Sequence, residues 1–341
     1  MRTLSYKIVV AAAGVIVAVA LGLLLSRTLL IAWLCAFAFF TFAAFGALML
    51  DAMLALGGAR LRGLWRPVAA GAARWIVISP IAFLPLAVGM HRVEFWSLPE
   101  FAGQTWFLNE PFALVRAIVY FSASIVGARF ILSDSGRAST KALTLLVIFI
   151  IANLAAIDWI MALTPAWHSS DFGVRWCVNG LSTAAAVAIA WQSRVRSGTS
   201  DADIGARIDG ANVLFALNLG WIYLMFVDYI TAWSGNLPDE AGWYAARIHG
   251  VWLDAIIGIV ACHIVVGIAL LFRASKRSAS ALRWLAALVI VAQWFESVWT
   301  IAPQPGAAVA TAFGFAAIAT CVLAAAFRFA PRSIRAGGVS A

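Results

Sequence analysis

The sequence predicts an all-α polytopic membrane protein of about ten transmembrane helices, and three observations carry that prediction. Of 341 residues, 64% are hydrophobic and 11% charged, with a mean hydropathy of +0.94, far from the roughly half apolar, quarter charged mix of soluble domains. Ten apolar stretches of about 20 residues use up roughly 200 positions and leave only short connections, which excludes a sizeable water-soluble domain. Of the 24 Lys and Arg residues, 18 gather at alternate connections and near the two ends of the chain, the bias expected where positive loops stay in the cytoplasm. The net charge of +9 therefore reports topology and not an affinity for nucleic acid.

In chain order the spans are expected near 8–26, 29–50, 75–91, 111–133, 141–164, 173–192, 208–233, 243–272, 281–302 and 307–328. The first begins with Arg2 and Lys7 like a signal peptide. Its long apolar run, with no small-residue cleavage site leading into a soluble domain, reads as a retained helix. Residues 1–28 are then the first transmembrane helix, 29–166 a four-helix bundle of the second to fifth spans, and 167–304 a second bundle of the sixth to ninth. The last span and a basic cytoplasmic tail fill 305–341. An internal echo supports the duplication: DWIMALTP at 158–165 and ESVWTIAP at 296–303 each give an acid, a tryptophan and a proline seven residues on. Both termini fall on the basic, cytoplasmic side of a bacterial inner membrane. The opposite, periplasmic side carries Glu94, Glu100, Glu110, Asp171, Asp239 and Glu240 with Trp96, Trp106, Trp167, Trp233 and Trp243, an aromatic belt.

Ionisable residues inside spans are costly unless paired or hydrated, which makes them functional candidates. Asp158 and Glu296 each lie seven residues before a proline, Asp254 seven after Arg247, and Asp228 eight before Asn236. At about 1.5 Å per residue all four sit roughly 10 Å below the periplasmic helix ends. One shared depth on four helices predicts one inward polar layer, with Asp254 and Glu296 facing each other and Asp228 nearby. Helical spacing supports it: Asn218, Trp221, Met225 and Asp228 share a face, as do Gln293, Glu296 and Thr300. His249, just outside Asp254, and His263, nearer the midplane, complete a set of proton-pathway candidates. His91, Arg116, Tyr120 and Asp158 form a second polar set, on the first bundle. The same groups also read as hydrogen bonds that hold helices together. Asp51, near the cytoplasmic end of its span, reads as solvated at the interface.

Metal and haem chemistry find no ligand pattern. Cys35, Cys177, Cys262 and Cys321 lie in apolar segments with no CxxC pair, and His249 and His263 have no facing pair of histidines. A glycine-rich phosphate loop, a nucleophile elbow and HExxH are equally missing from the sequence. No cofactor bound covalently or by metal ligands is expected.

The strings FLNEPFALVRAIVYF (107–121), AIDWIMALTPAWHSSDFGV (156–174) and WIYLMFVDYITAWSGNLPDEAGWY (221–244) resemble the NrfD-like membrane subunits, in particular the ActF-type subunit (quinone-binding subunit 2) of alternative complex III, a bacterial quinol:cytochrome c oxidoreductase of the respiratory chain. The similarity runs over nearly the whole chain. It implies two four-helix bundles with two outer helices, a second NrfD-like subunit, periplasmic haem and iron–sulfur subunits, a terminal oxidase as an additional partner, and quinone or quinol as ligand, for which His91, Arg116, Tyr120 and Asp158 are the candidate site, since such a site needs an apolar cleft and a His or carboxylate to take protons. Two positions depart from the family pattern: Val227-Asp228 stands where Ser-Gln is usual, and Ala166 where a His is usual. The chain is also short for the subfamily.

The function expected is a non-redox integral subunit of an electron-transport complex, acting as scaffold with a proton pathway or quinone contact. Two other classes stay open: a proton-coupled transporter-like protein, which broken helices at matching points of both halves would favour, and an assembly factor for a terminal oxidase.

Overall fold

The computed structural model describes residues 26–58, 61–93, 106–107, 109–133, 137–164, 167–195, 200–303 and 309–328. The chain is an all-α polytopic membrane protein: among the described residues there is no strand, and eight helices are long and apolar enough to cross a membrane. The elements are α1 (Arg27–Leu56), α2 (Leu61–Val93), α3 (Glu110–Leu132), α4 (Ala138–Trp159) with a 3₁₀ turn at Met161–Leu163, α5 (Phe172–Val195), α6 (Asp201–Gly235), α7 (Pro238–Ala245), α8 (Gly250–Ala269), α9 (Arg273–Arg277), α10 (Ala279–Ile301) and α11 (Val309–Arg328). The expected first span, residues 94–105, Pro165, Ala166 and the tail beyond 328 lie outside the described residues.

Helices α1 to α4 pack in a ring, each on the next with α4 returning to α1, and α5, α6, α8 and α10 form a second ring. α1 is the shared spine. It is apolar on nearly every side and mostly buried from Leu30 to Ala52, as a helix enclosed by others requires, and it touches α5, α10 and α11 as well as its own ring. Its crossing with α5 is backbone against backbone. A Cβ on Gly46 would lie 2.0 Å from the Gly180 carbonyl carbon, and one on Gly180 would lie 2.1 Å from the Phe42 carbonyl oxygen. Only glycine allows helices this close.

Two expected boundaries move. The stretch 59–74, which falls between two expected spans, is helical from Leu61 onward, because Leu61, Trp65, Ala69, Ala72 and Ala73 make a buried apolar stripe at helical spacing, while Arg62 reaches Asp51 and Arg66 donates to the Leu132 carbonyl. α2 continues through Pro67, Pro80 and Pro85, and α6 runs unbroken for 35 residues. The expected span at 243–272 is instead α7 and α8, parted at residues 246–249. Gly250, with φ of 54°, opens α8, and the buried Arg247 holds the break by donating to the Trp243 and Thr300 carbonyls.

Candidate functional site

The antiparallel course of the helices brings the start of α3, the end of α4, the start of α5, the end of α6, α7 and the end of α10 to one end of the molecule. Two buried polar clusters form there.

The first joins α3 and α4. Asn109 caps α3 by accepting from the Phe112 amide, with Pro111 in the first turn. Arg116 and Tyr120, four residues apart, share a face below that cap. Arg116 Nε donates to Asp158 Oδ2 at 2.7 Å, the Tyr120 hydroxyl donates to the same oxygen at 2.7 Å, and Arg116 Nη1 donates to the Phe107 carbonyl at 2.8 Å. The guanidinium lies 4.0 Å from the Phe107 ring centre and 4.7 Å from that of Phe112. Trp159, next to the acid, stacks on Phe121. Three members of the expected quinone-site set thus meet. His91 does not join them: it is exposed at the end of α2, with Arg92 Nε 3.3 Å from its Nε2.

The second cluster is larger and centres on Arg175, which is 0% exposed. Its Nη1 lies 3.7 Å from Asp228 Oδ2 and donates to Met225 Sδ. Tyr244 donates to Asp228 Oδ2 at 2.9 Å, and Ser169 Oγ lies 2.6 Å from both Asp228 Oδ1 and Asp171 Oδ1. Deeper in, the fully buried Glu296 accepts from Trp221 Nε1 at 2.6 Å. Trp221 stacks on His263 with ring centres 3.7 Å apart, and Asn218 clasps His263 through its Nδ1 and its backbone carbonyl. Trp167 stacks on Trp243, and the Arg247 guanidinium lies 3.6 Å from the Trp243 ring centre. Of the stripes expected on α6 and α10, Asn218, Trp221, Asp228, Gln293, Glu296 and Thr300 are buried and Met225 is half-buried.

Asp254 and His249 stand elsewhere. Asp254 is exposed on the outer face of α8, so the expected pairing with Glu296 does not exist; the polar neighbours of Glu296 are Arg175, Asn179, Trp221 and Asp228. The reason is rotational. Asp254 and His263 are nine residues apart, half a turn out of phase, and α8 buries the His263 side. His249 is the exposed residue before α8 and makes no capping bond. Asp51 also departs from expectation: it is buried, 3.4 Å from Arg62 Nη2.

Several buried polar atoms in the second cluster have no partner among the described residues: Arg175 Nε and Nη2, Asp171 Oδ2, Glu296 Oε1, Asn179 Oδ1, Gln293 Oε1 and Trp176 Nε1. Trp176, Asn179 and Gln293 also line a cavity of about 10 Å³ between α1, α5 and α10, room for one water. At the membrane surface, burial pushes the Asp171 carboxyl above the usual aspartate value; the Ser169 hydrogen bond opposes the shift and the Asp228 charge adds to it. Burial, then the Asp228 charge, raises Tyr244 and keeps its phenol protonated. Among the described residues no three His, Cys, Asp or Glu side chains gather as a metal set. The chain matches no protein-family model and no curated protein. Chemically, the two clusters hold carboxylates against arginine and tyrosine in an apolar setting, an arrangement suited to storing and passing protons and to hydrogen-bonding a hydroxyl or carbonyl ligand.

Arg175, Ser169, Tyr244 and Arg247 were not candidates on sequence grounds. Arg175 counted only as a charge of the less basic side. The available signal was stoichiometric: buried carboxylates near one end need a cation, and that side holds few.

Proposed function

We propose that this chain is a non-redox integral subunit of a bacterial quinol-oxidising, cytochrome c-reducing respiratory complex, of the NrfD-like kind and resembling the ActF-type subunit of alternative complex III. It crosses the inner membrane many times with both termini cytoplasmic, as the 18 basic residues on one side support. In the complex it is scaffold and proton path, with the Arg116–Tyr120–Asp158 cluster as its quinone contact. Its partners are a second NrfD-like subunit, periplasmic haem and iron–sulfur subunits, and a terminal oxidase.

One observation carries the reading. The three strings behind the family resemblance supply most of both clusters: Phe107, Arg116 and Tyr120 from the first, Asp158, Ser169 and Asp171 from the second, and Trp221, Met225, Asp228, Trp243 and Tyr244 from the third. Segments far apart in the chain thus converge on two sites at one end. Unbroken α2 and α6 lend no support to the transporter reading, which draws on discontinuous helices.

The test is purification of the tagged chain in mild detergent followed by mass spectrometry. The proposal expects haem- and iron–sulfur-binding proteins and a second polytopic subunit in stoichiometric amounts. Recovery of the chain alone, with quinol oxidation intact in a deletion strain, overturns it.

A further inference from the structure

Ser169 poses a counting problem. Its Oγ lies 2.6 Å from Asp171 Oδ1 and 2.6 Å from Asp228 Oδ1, yet a hydroxyl carries one hydrogen and can donate to only one of them. At 2.6 Å an oxygen–oxygen contact is a hydrogen bond of the short, charge-assisted kind, so the second contact needs a hydrogen of its own. Only a carboxyl can supply it, donating into the Ser169 lone pair. We infer that Asp171 and Asp228 share one proton through Ser169, and that this triad is the surface port through which the second bundle exchanges protons.

The surroundings say where the proton rests. Asp228 Oδ2 accepts from Tyr244 and stands 3.7 Å from the fully buried Arg175, whose Nε and Nη2 meet no acceptor among the described residues, so this oxygen is already taken up as an acceptor. Asp171, in the loop before α5, is half-buried, makes no ion pair among the described residues and feels Arg175 only at longer range, so it carries the hydrogen. The charged and titratable groups around the pair are Arg175 on α5, Tyr244 on α7, Arg247 beyond it and Glu296 on α10. Transfer inward breaks the Asp171 O–H bond as a bond forms to Ser169 Oγ. The serine's own O–H bond breaks toward Asp228, Ser169 is again a hydroxyl, and no electron moves. Asp228 then stands beside Arg175, which Glu296 also faces. The port is thus at Asp171, half-buried in its loop with Oδ2 unpartnered among the described residues, and not at His249 and Asp254.

The sharing can be read without turnover, so it is separable from the proposed complex, on which only the transfer step rests. Infrared spectra of the purified full chain, with ¹³C-carboxyl aspartate, report protonated carboxyls directly. Above the pH at which exposed aspartates ionise, one protonated aspartate is expected. It is lost in Asp171→Asn, lost in Asp228→Asn because the neighbouring charge that holds the proton is gone, and retained in Ser169→Ala and Asp254→Asn. A wild-type protein with no protonated aspartate, or one whose signal survives Asp171→Asn, overturns the sharing. Ser169→Thr, which keeps the hydroxyl, guards against a folding artefact and retains the signal. In the assembled complex Ser169→Ala lowers the proton yield per quinol and Ser169→Thr restores it; equal yields from all three proteins overturn the transfer.

Discussion

Removing Asp158 separates a buried ion pair from mere helix glue, because the two readings differ in magnitude. Asp158 and Arg116 are 5% and 10% exposed at their side chains, and without the carboxylate the guanidinium keeps one carbonyl acceptor, Phe107, and two aromatic faces. A buried charge stripped of its partner costs about 3–5 kcal/mol. Losing one hydrogen bond inside a membrane protein costs about 0.6 kcal/mol on average. Asp158→Leu and Arg116→Leu should therefore each destabilise by about 3–5 kcal/mol, and Tyr120→Phe by about 1 kcal/mol. Replacing both charged residues by leucine removes the desolvation cost with the attraction, so the double variant should lie within about 1–2 kcal/mol of wild type. Equilibrium unfolding of the purified chain in mixed micelles of native and denaturing detergent gives all four values. Single variants that each cost less than about 1 kcal/mol, or a double variant equal to the sum of the singles, would refute the description of this cluster as a dry ion pair.

Gly46→Leu should abolish stable folding and Gly46→Ala should weaken it markedly, since even a Cβ meets α5 backbone at 2.0 Å; Gly205→Ala, which meets nothing within 4 Å, should be tolerated in the same unfolding assay. Because the Asp171 carboxyl is raised in the folded chain, the folded state binds more protons than the unfolded one above the ordinary aspartate range. Stability should then fall as pH rises through the folded Asp171 value, and Asp171→Asn should flatten that slope. Glu296→Gln, which alters a fully buried carboxylate bonded to Trp221, should change quinol turnover or proton yield with assembly intact, whereas Asp254→Asn, exposed on α8, should change neither. Reporter fusions at Lys276 should report cytoplasm and at Gly235 periplasm; the reverse contradicts the topology.

Much of this architecture is legible from composition and periodicity because both act over whole helices. Long apolar runs locate α1, α3, α4, α5 and α10 to within a few residues, and the stripes on α6 and α10 point inward as their spacing predicts. Arg116, Tyr120 and Asp158 are also legible, since an arginine and an aspartate inside spans at matching depth need each other. What spacing cannot supply is the rotation of a helix that has polar residues on both sides. On α8, His263 and Asp254 lie half a turn apart, and packing against α10 buries the histidine. Nor does helical periodicity reach into connections. Ser169, Asp171, Tyr244 and Arg247 come from the segments between spans, and chain folding alone carries them to Arg175. Asp51 was misjudged for a related reason: the helix now seen from Leu61 places Arg62 beside it, where a loop would have left it to solvent.

Membranes from a strain lacking the chain, assayed for quinol-dependent cytochrome c reduction alongside native electrophoresis, test whether it is an obligate part of the proposed quinol-oxidising complex. Loss of the activity together with loss of the assembled complex, both restored by the wild-type chain, is the result expected of the proposed function. An unchanged rate from an intact complex in the deletion strain would contradict it.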